Sequence, residues 1–185
     1  MEFNTKQMRI KNYTVFLLLI LLGINCGNLT RLKFPEEYSF QENEIWPTAY
    51  RSNLRHNSIE QDITPPMEVL WHRKYKSVVT DQPLALRNYL IFTLQNGNLA
   101  YVDINTGELI GDGRIAPGFE HSPTIDNTIL YYASNLGDET LTALNLQNLK
   151  KVWKLDLPHM YTAPLVWKDR IYSGTKTGQL FCINK

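Results

Sequence analysis

The sequence predicts an all-β fold, and three observations carry that expectation. First, Pro83, Pro123 and Pro164 stand 40 and 41 residues apart. Second, each proline opens the same order of signals. An apolar stretch (Leu84-Ala85-Leu86, Thr124-Ile125, Leu165-Val166-Trp167) meets a polar turn and then a hydrophobic run (Tyr89–Phe92, Thr128–Tyr132, Ile171-Tyr172). Third, a turn containing glycine or asparagine leads into another strand-like run: Leu99–Ile104, Leu141–Leu146, Leu180–Ile183. A fixed period of this length, with four short strands per unit, is the signature of a β-propeller of four-stranded antiparallel blades.

Residues 1–25 read as a targeting segment and stand outside the fold. Met8–Asn12 is short and basic, and Val15–Leu22 is apolar, the order of a signal peptide's charged and hydrophobic regions. Even counted from Tyr13 to Ile24 the apolar stretch has 12 residues, against the ~20 that span a bilayer. Leu22-Gly23-Ile24-Asn25-Cys26-Gly27 resembles the lipobox of bacterial lipoproteins, with Leu22 one place early and Asn25 where a small residue is favoured. The resemblance implies lipidation of Cys26 and a polar tether over residues 26–45. Acyl chains contribute about 0.8 kcal/mol per buried CH₂, so several would hold the protein on a membrane. The other reading is a cleaved signal with an unrelated cysteine.

Charge and cysteines narrow the partners. The formal net charge is +1, and the body after the targeting segment is near neutral. No basic stripe exists to neutralise phosphates, so nucleic acid is not an expected partner. Cys26 and Cys182 are the two cysteines, and no CxxC or Cys/His spacing suggests a metal site.

The units then follow in order. Met67–Arg73 reads as a lone last strand upstream of the first full unit, and Trp71, Gly111 and Trp153 fall in register. The first blade is expected at about 83–122, with an Asn105-Thr106-Gly107 turn between two apolar runs. The second is expected at 123–163, with Asn145–Lys150 in the same slot, and the third at 164–185 without its fourth strand. Central strands of stacked blades are buried on both faces, so they read as nearly continuous apolar runs. Burying each large side chain contributes roughly 1.5–3 kcal/mol, so stacking dominates the energetics. The strand-opening prolines sit where a missing amide proton costs least.

These positions resemble the PQQ-like (pyrroloquinoline-quinone type) β-propeller repeat family, whose core is approximately Ala-x-Asp-x-x-Thr-Gly-x-x-x-Trp. The first unit matches it with Asp103, Thr106 and Gly107, and has Tyr101 and Gly111 at the alanine and tryptophan places. The second has Ala143, Asn145, Leu149 at the glycine place, and Trp153; the third has Cys182 and Asn184. Trp46–Ser58 is similar to the entry segment that precedes such propellers, with Ser58 for glycine. The resemblance covers residues 46–185. It implies that Trp71 and Trp153 dock between neighbouring blades and that His56 is structural.

Closed rings have roughly four to eight blades, and about three are legible, so a truncated or split reading frame, or completion by another polypeptide, is expected. His121 and His159 precede Pro123 and Pro164 in loops that face a rim or the central channel, where a ligand site is conceivable. Asp103 and Asn145 are expected to brace hairpins, and Cys182 to be a buried, unreactive thiol. Nothing pairs a nucleophile with a base, cradles a phosphate or opposes two carboxylates, so no catalytic, cofactor-binding or metal residue is expected. Quinone-dependent dehydrogenases of the superfamily use an adjacent Cys-Cys pair, which this sequence lacks. The leading expectation is a non-enzymatic, membrane-anchored scaffold of the bacterial cell envelope, binding a protein partner. It would resemble the propeller lipoprotein of the outer-membrane β-barrel assembly machinery. A surface ligand-binding propeller and a fragment of a quinoprotein dehydrogenase are the alternatives.

Overall fold

A computed structural model describes residues 45–48 and 65–185. Among them are twelve antiparallel strands in three sheets. The first sheet holds β1 (Ile45–Trp46), β2 (Val79–Leu86), β3 (Tyr89–Leu94), β4 (Asn98–Asp103) and β5 (Leu109–Arg114) in that order. The second holds β6 (Thr124–Asp126), β7 (Ile129–Ala133), β8 (Leu141–Asn145) and β9 (Lys151–Leu155). The third holds β10 (Leu165–Trp167), β11 (Arg170–Gly174) and β12 (Leu180–Asn184). Each is a meander, as propeller blades are.

Register makes the repeat exact enough to superpose residue by residue. Tyr101 lies between Ile91 and Gly111, Ala143 between Tyr131 and Trp153, and Cys182 opposite Tyr172. Both complete outer strands carry a bulge at the same place. Pairing slips between Tyr101 and Val102 and between Ala143 and Leu144, leaving Ile110 and Val152 as extra, exposed residues. A bulge twists and bends the outer strand locally.

Alternation along the strands builds two different interfaces on each central blade. Leu84, Leu86, Ile91, Leu99 and Tyr101 of the first sheet meet Ile125, Leu130, Tyr132, Leu144 and Leu146 of the second in one core. The opposite face of the second sheet, through Tyr131, Leu141 and Ala143, meets Val166 and Ile171 of the third. Side chains of period two thus point alternately at two neighbours, which is why these strands lack an exposed polar face. Hydroxyl–carbonyl bonds tie the inner strands at a 40-residue offset: Ser122 donates to the Gln82 carbonyl and Thr124 to the Pro164 carbonyl.

The hairpin turns at the opposite end from the entry prolines behave as their sequence dictates. Asp103 Oδ1 accepts from the amides of Asn105 and Thr106, each at 2.9 Å, and these bonds hold its carboxyl below the usual carboxylate range. Asn145 Oδ1 accepts from the Gln147 amide at 2.9 Å. Gly107 follows at φ 68°, and Leu149 occupies the equivalent place at φ 56°. A leucine there is held in the left-handed region against its preference, and its side chain packs on the core between the first two sheets. Packing gives back what the backbone loses.

Three expectations need correction. The first sheet has five strands, because β1 adds to the free edge of β2 through Ile45 opposite Leu86 and Trp46 opposite Ala85. The entry segment then crosses to the second sheet, where the Pro47 carbonyl accepts the Ile125 amide at 2.7 Å. Met67–Arg73 is not a strand: among the described residues it pairs with no other strand. It is held by side chains instead, with the Trp71 indole donating to the Ile104 carbonyl at 2.9 Å and Arg73 to the Gly107 carbonyl at 3.1 Å. Cys182 is exposed rather than buried. Along β12 it alternates with Phe181 and Ile183, which take the side facing the second sheet, so the thiol falls on the other side. Cys26 and the targeting segment, residues 27–44 of the tether, and His56 with the rest of the entry motif after Thr48 lie outside the described residues.

Candidate functional site

Antiparallel meanders put the connections between blades and the second turn of each blade at the same end of the stack. Three blades therefore contribute loops to one rim. Between the first two blades, the amides of Ile115 and Ala116 both donate to the Gly97 carbonyl, at 3.0 and 3.2 Å. The Tyr132 hydroxyl donates to the Ile115 carbonyl at 3.0 Å, and burial pushes this phenol up to about 12. Ser134 donates to the Gly118 carbonyl at 3.0 Å. Between the second and third blades, the Tyr161 amide donates to the Gly174 carbonyl at 2.8 Å, and Met160 bridges to Thr175.

These anchors draw polar side chains from all three blades together. His121 Nδ1 lies 3.8 Å from Asp81 Oδ2, and Asp81 sits in a left-handed conformation, φ 52°, at the irregularity of β2. The His121 ring meets the Tyr161 ring edge-on at 5.2 Å, and Lys176 Nζ stands 5.3 Å over that same tyrosine. Asn135 donates to one oxygen of Glu120. Glu120 Oε2, His121 Nε2 and Asn135 Oδ1 are enclosed without a partner. Such groups are costly to leave unmade. Tyr161 and Leu136 are exposed beside them.

The histidines named from sequence separate here. His121 is half-buried within this cluster, whereas His159 is exposed and contributes its carbonyl, which accepts the Lys176 amide at 3.3 Å. Asp81, Asn135, Leu136 and Lys176 went unread in the sequence. Their only signal is position, in or beside the turns and entry loops that share this end. Trp71 and Trp153 lie elsewhere, on blade faces. Trp71 lies against Gly107, where an added Cβ would stand 2.5 Å from the indole; Trp153 packs on Tyr131, ring centres 5.9 Å apart, within the second inter-sheet core.

A second concavity, a cleft of about 540 Å³, opens between Ile115–Pro117 and the outer edge of the second blade. Glu139 binds both Lys151 and Lys154 in its wall, and those bonds hold its carboxyl below the usual range. The ions satisfy one another there. Among the described residues no three His, Cys, Asp or Glu side chains converge as metal ligands, and no helix is long and apolar enough to cross a membrane.

Comparison with known proteins gives the setting. No protein-family profile matches the chain. Over 109 residues it is 29% identical to the outer membrane protein assembly factor BamB of Marinobacter adhaerens, a match that takes in 58% of this chain. The chain spans 27% of that relative's length over the match. Among solved structures it superposes on BamB from Moraxella catarrhalis with a TM-score of 0.52 at 18% identity, covering 62% of this chain and 39% of that one. On the quinohemoprotein alcohol dehydrogenase of Comamonas testosteroni it reaches a TM-score of 0.61 at 15% identity, covering 78% and 26%. At these identities the structural likeness establishes the fold, an all-β propeller arrangement, and nothing finer.

Proposed function

We propose that this chain is a non-catalytic interaction module of the bacterial cell envelope, held on a membrane through lipid on Cys26 and binding a protein partner through the three-blade rim. The observation that carries the reading is the rim itself. Glu120, His121 and Asn135 are positioned by loops of successive blades, each keeps an unpaired polar atom, and exposed Leu136 and Tyr161 flank them. Tyr161, an exposed aromatic held against His121 and Lys176, is the kind of anchor that protein-binding hot spots favour. The similarity to BamB supports outer-membrane protein assembly as the process served.

The test is retention of outer-membrane protein assembly complexes on the immobilised mature chain. Tyr161→Ala and Leu136→Glu are expected to reduce retention at least tenfold, a loss of about 1.4 kcal/mol or more. Glu108→Ala, at the opposite end of the blades, should leave it unchanged. No retention by the unaltered chain, or retention indifferent to both rim substitutions, would overturn the proposal.

A further inference from the structure

We infer that the cleft between the first two blades is a site for an arginine side chain of a protein partner, which rests on the interaction role proposed above and gives that partner a chemistry. Two equivalent outer strands differ in what they send toward the next blade. Tyr101 pairs with Gly111 and Leu99 with Gly113, and Tyr101 and Leu99 face the second sheet. At the matching places Ala143 pairs with Trp153 and Leu141 with Leu155, all four facing the third sheet. So β9 sends an indole and an isobutyl group into the gap ahead of it, whereas β5 sends no side chain from either glycine. The second gap is filled from within. The first stays open as the cleft of about 540 Å³, within the roughly 300–1,000 Å³ of small-ligand sites.

The walls of this cleft are held by bonds within the chain. Arg114 donates to the carbonyls of Ala116 and Pro117, each at 3.2 Å, and the Tyr132 hydroxyl holds the Ile115 carbonyl. Pro117 also meets the facing turn closely, since an added Cβ on Gly137 would stand 2.9 Å from its ring. Walls fixed in advance lower the ordering cost of binding. Thr142 stands between Tyr132 and Lys154 on the same face, and its Oγ1 is enclosed with no partner. The floor is therefore polar as well as aromatic.

Charge selects the guest. Asp138, Glu139 and Asp156 line the cleft together with Lys151 and Lys154, three carboxylates against two ammonium groups. Glu139 takes both lysines. Asp138 and Asp156 are exposed, and among the described residues neither has an ion-pair partner. The excess is negative, so a cation completes the set. Ile115, Pro117 and Leu155 supply apolar surface, on which the methylene stem of a long cationic side chain lies while its head reaches the carboxylates. A guanidinium suits this better than an ammonium, because its five donors in a fixed fork serve carboxylates that come from different loops. Asp138 shares the β7–β8 turn with exposed Leu136, so the cleft continues the rim surface and one partner segment reaches both.

The experiment is an NMR titration of the mature chain carrying Cys26→Ser, with N-acetylarginine amide as the probe. The backbone amides of Ala116, Asp138 and Leu155 are expected to shift saturably, and N-acetylglutamate amide should leave them in place. Asp138→Asn combined with Asp156→Asn, both at exposed positions, should keep the thermal midpoint and weaken the fitted Kd by about fivefold or more. The same double variant should lower retention of outer-membrane protein assembly complexes by a similar factor. No saturable shift with the arginine probe, equal shifts with the glutamate probe, or an unchanged Kd in the double variant would overturn the inference. So would retention that Tyr161→Ala abolishes and the double variant leaves intact, a result that keeps the rim and removes the cleft. If the unaltered chain retains no complex, the rim reading falls, and the titration still decides whether the cleft takes a guanidinium.

Discussion

Gly97→Ala is expected to destabilise the protein by about 4 kcal/mol or more, at the exceptional end for a single substitution. Gly97 turns the chain at φ 88°, between β3 and β4, where it receives the amides of Ile115 and Ala116. A Cβ at this position would stand 1.8 Å from the Ala116 carbonyl oxygen and 2.8 Å from its carbon. Both are backbone atoms, so no side-chain rotation relieves the overlap; the loop joining the first two blades has to move. Gly178 supplies the matched control, with φ 82° and nothing within 4 Å of its added Cβ. Gly178→Ala therefore carries only the left-handed penalty of about 1–2 kcal/mol. Urea midpoints of the two variants measure the difference. Equal midpoints would show that the approach of Gly97 to Ala116 is not a determinant of stability.

Trp153→Ala is expected to cost about 3 kcal/mol, the low end for a large aromatic because one side of the indole stays in water. The ring packs on Tyr131 and joins the core between the second and third sheets. Its truncation should leave a void that β9, held by its ladder to β8, closes only in part. Val152 is the adjacent bulge residue, more than half exposed, and Val152→Ala should stay within about 0.5 kcal/mol. Thermal melts of both variants check the contrast. A Trp153→Ala protein that melts like the unaltered chain yet loses a partner would move Trp153 from blade docking to binding.

The parts of the fold legible in sequence are those decided within one repeat. The 40-residue spacing of the prolines, the turns braced by Asp103 and Asn145, and the buried central strands all follow from local propensity and alternation. Leu149 shows the limit of that logic. It breaks the glycine rule of its turn, and only its packing on a neighbouring blade explains why it stands there. The fifth strand of the first sheet was illegible because Ile45 and Trp46 pair with an edge some forty residues away, which no local pattern encodes. Cys182 was misread for a related reason: its alternation places it on a blade face, but burial depends on whether another blade arrives. The same holds for the rim. His121 was visible as a histidine in an entry loop, whereas Asp81, Asn135 and Lys176 join it only through the stacking of three blades.

The most direct measurement is the intact mass of the protein recovered from membranes of a bacterial host that processes lipoproteins. An envelope-anchored interaction propeller requires a mature chain that begins at Cys26, lacks residues 1–25 and carries the added mass of its acyl chains. Cys26→Ala should then move the protein from the membrane to the soluble fraction while leaving its thermal melt unchanged. An unmodified Cys26, or cleavage at another residue, would contradict the anchored reading.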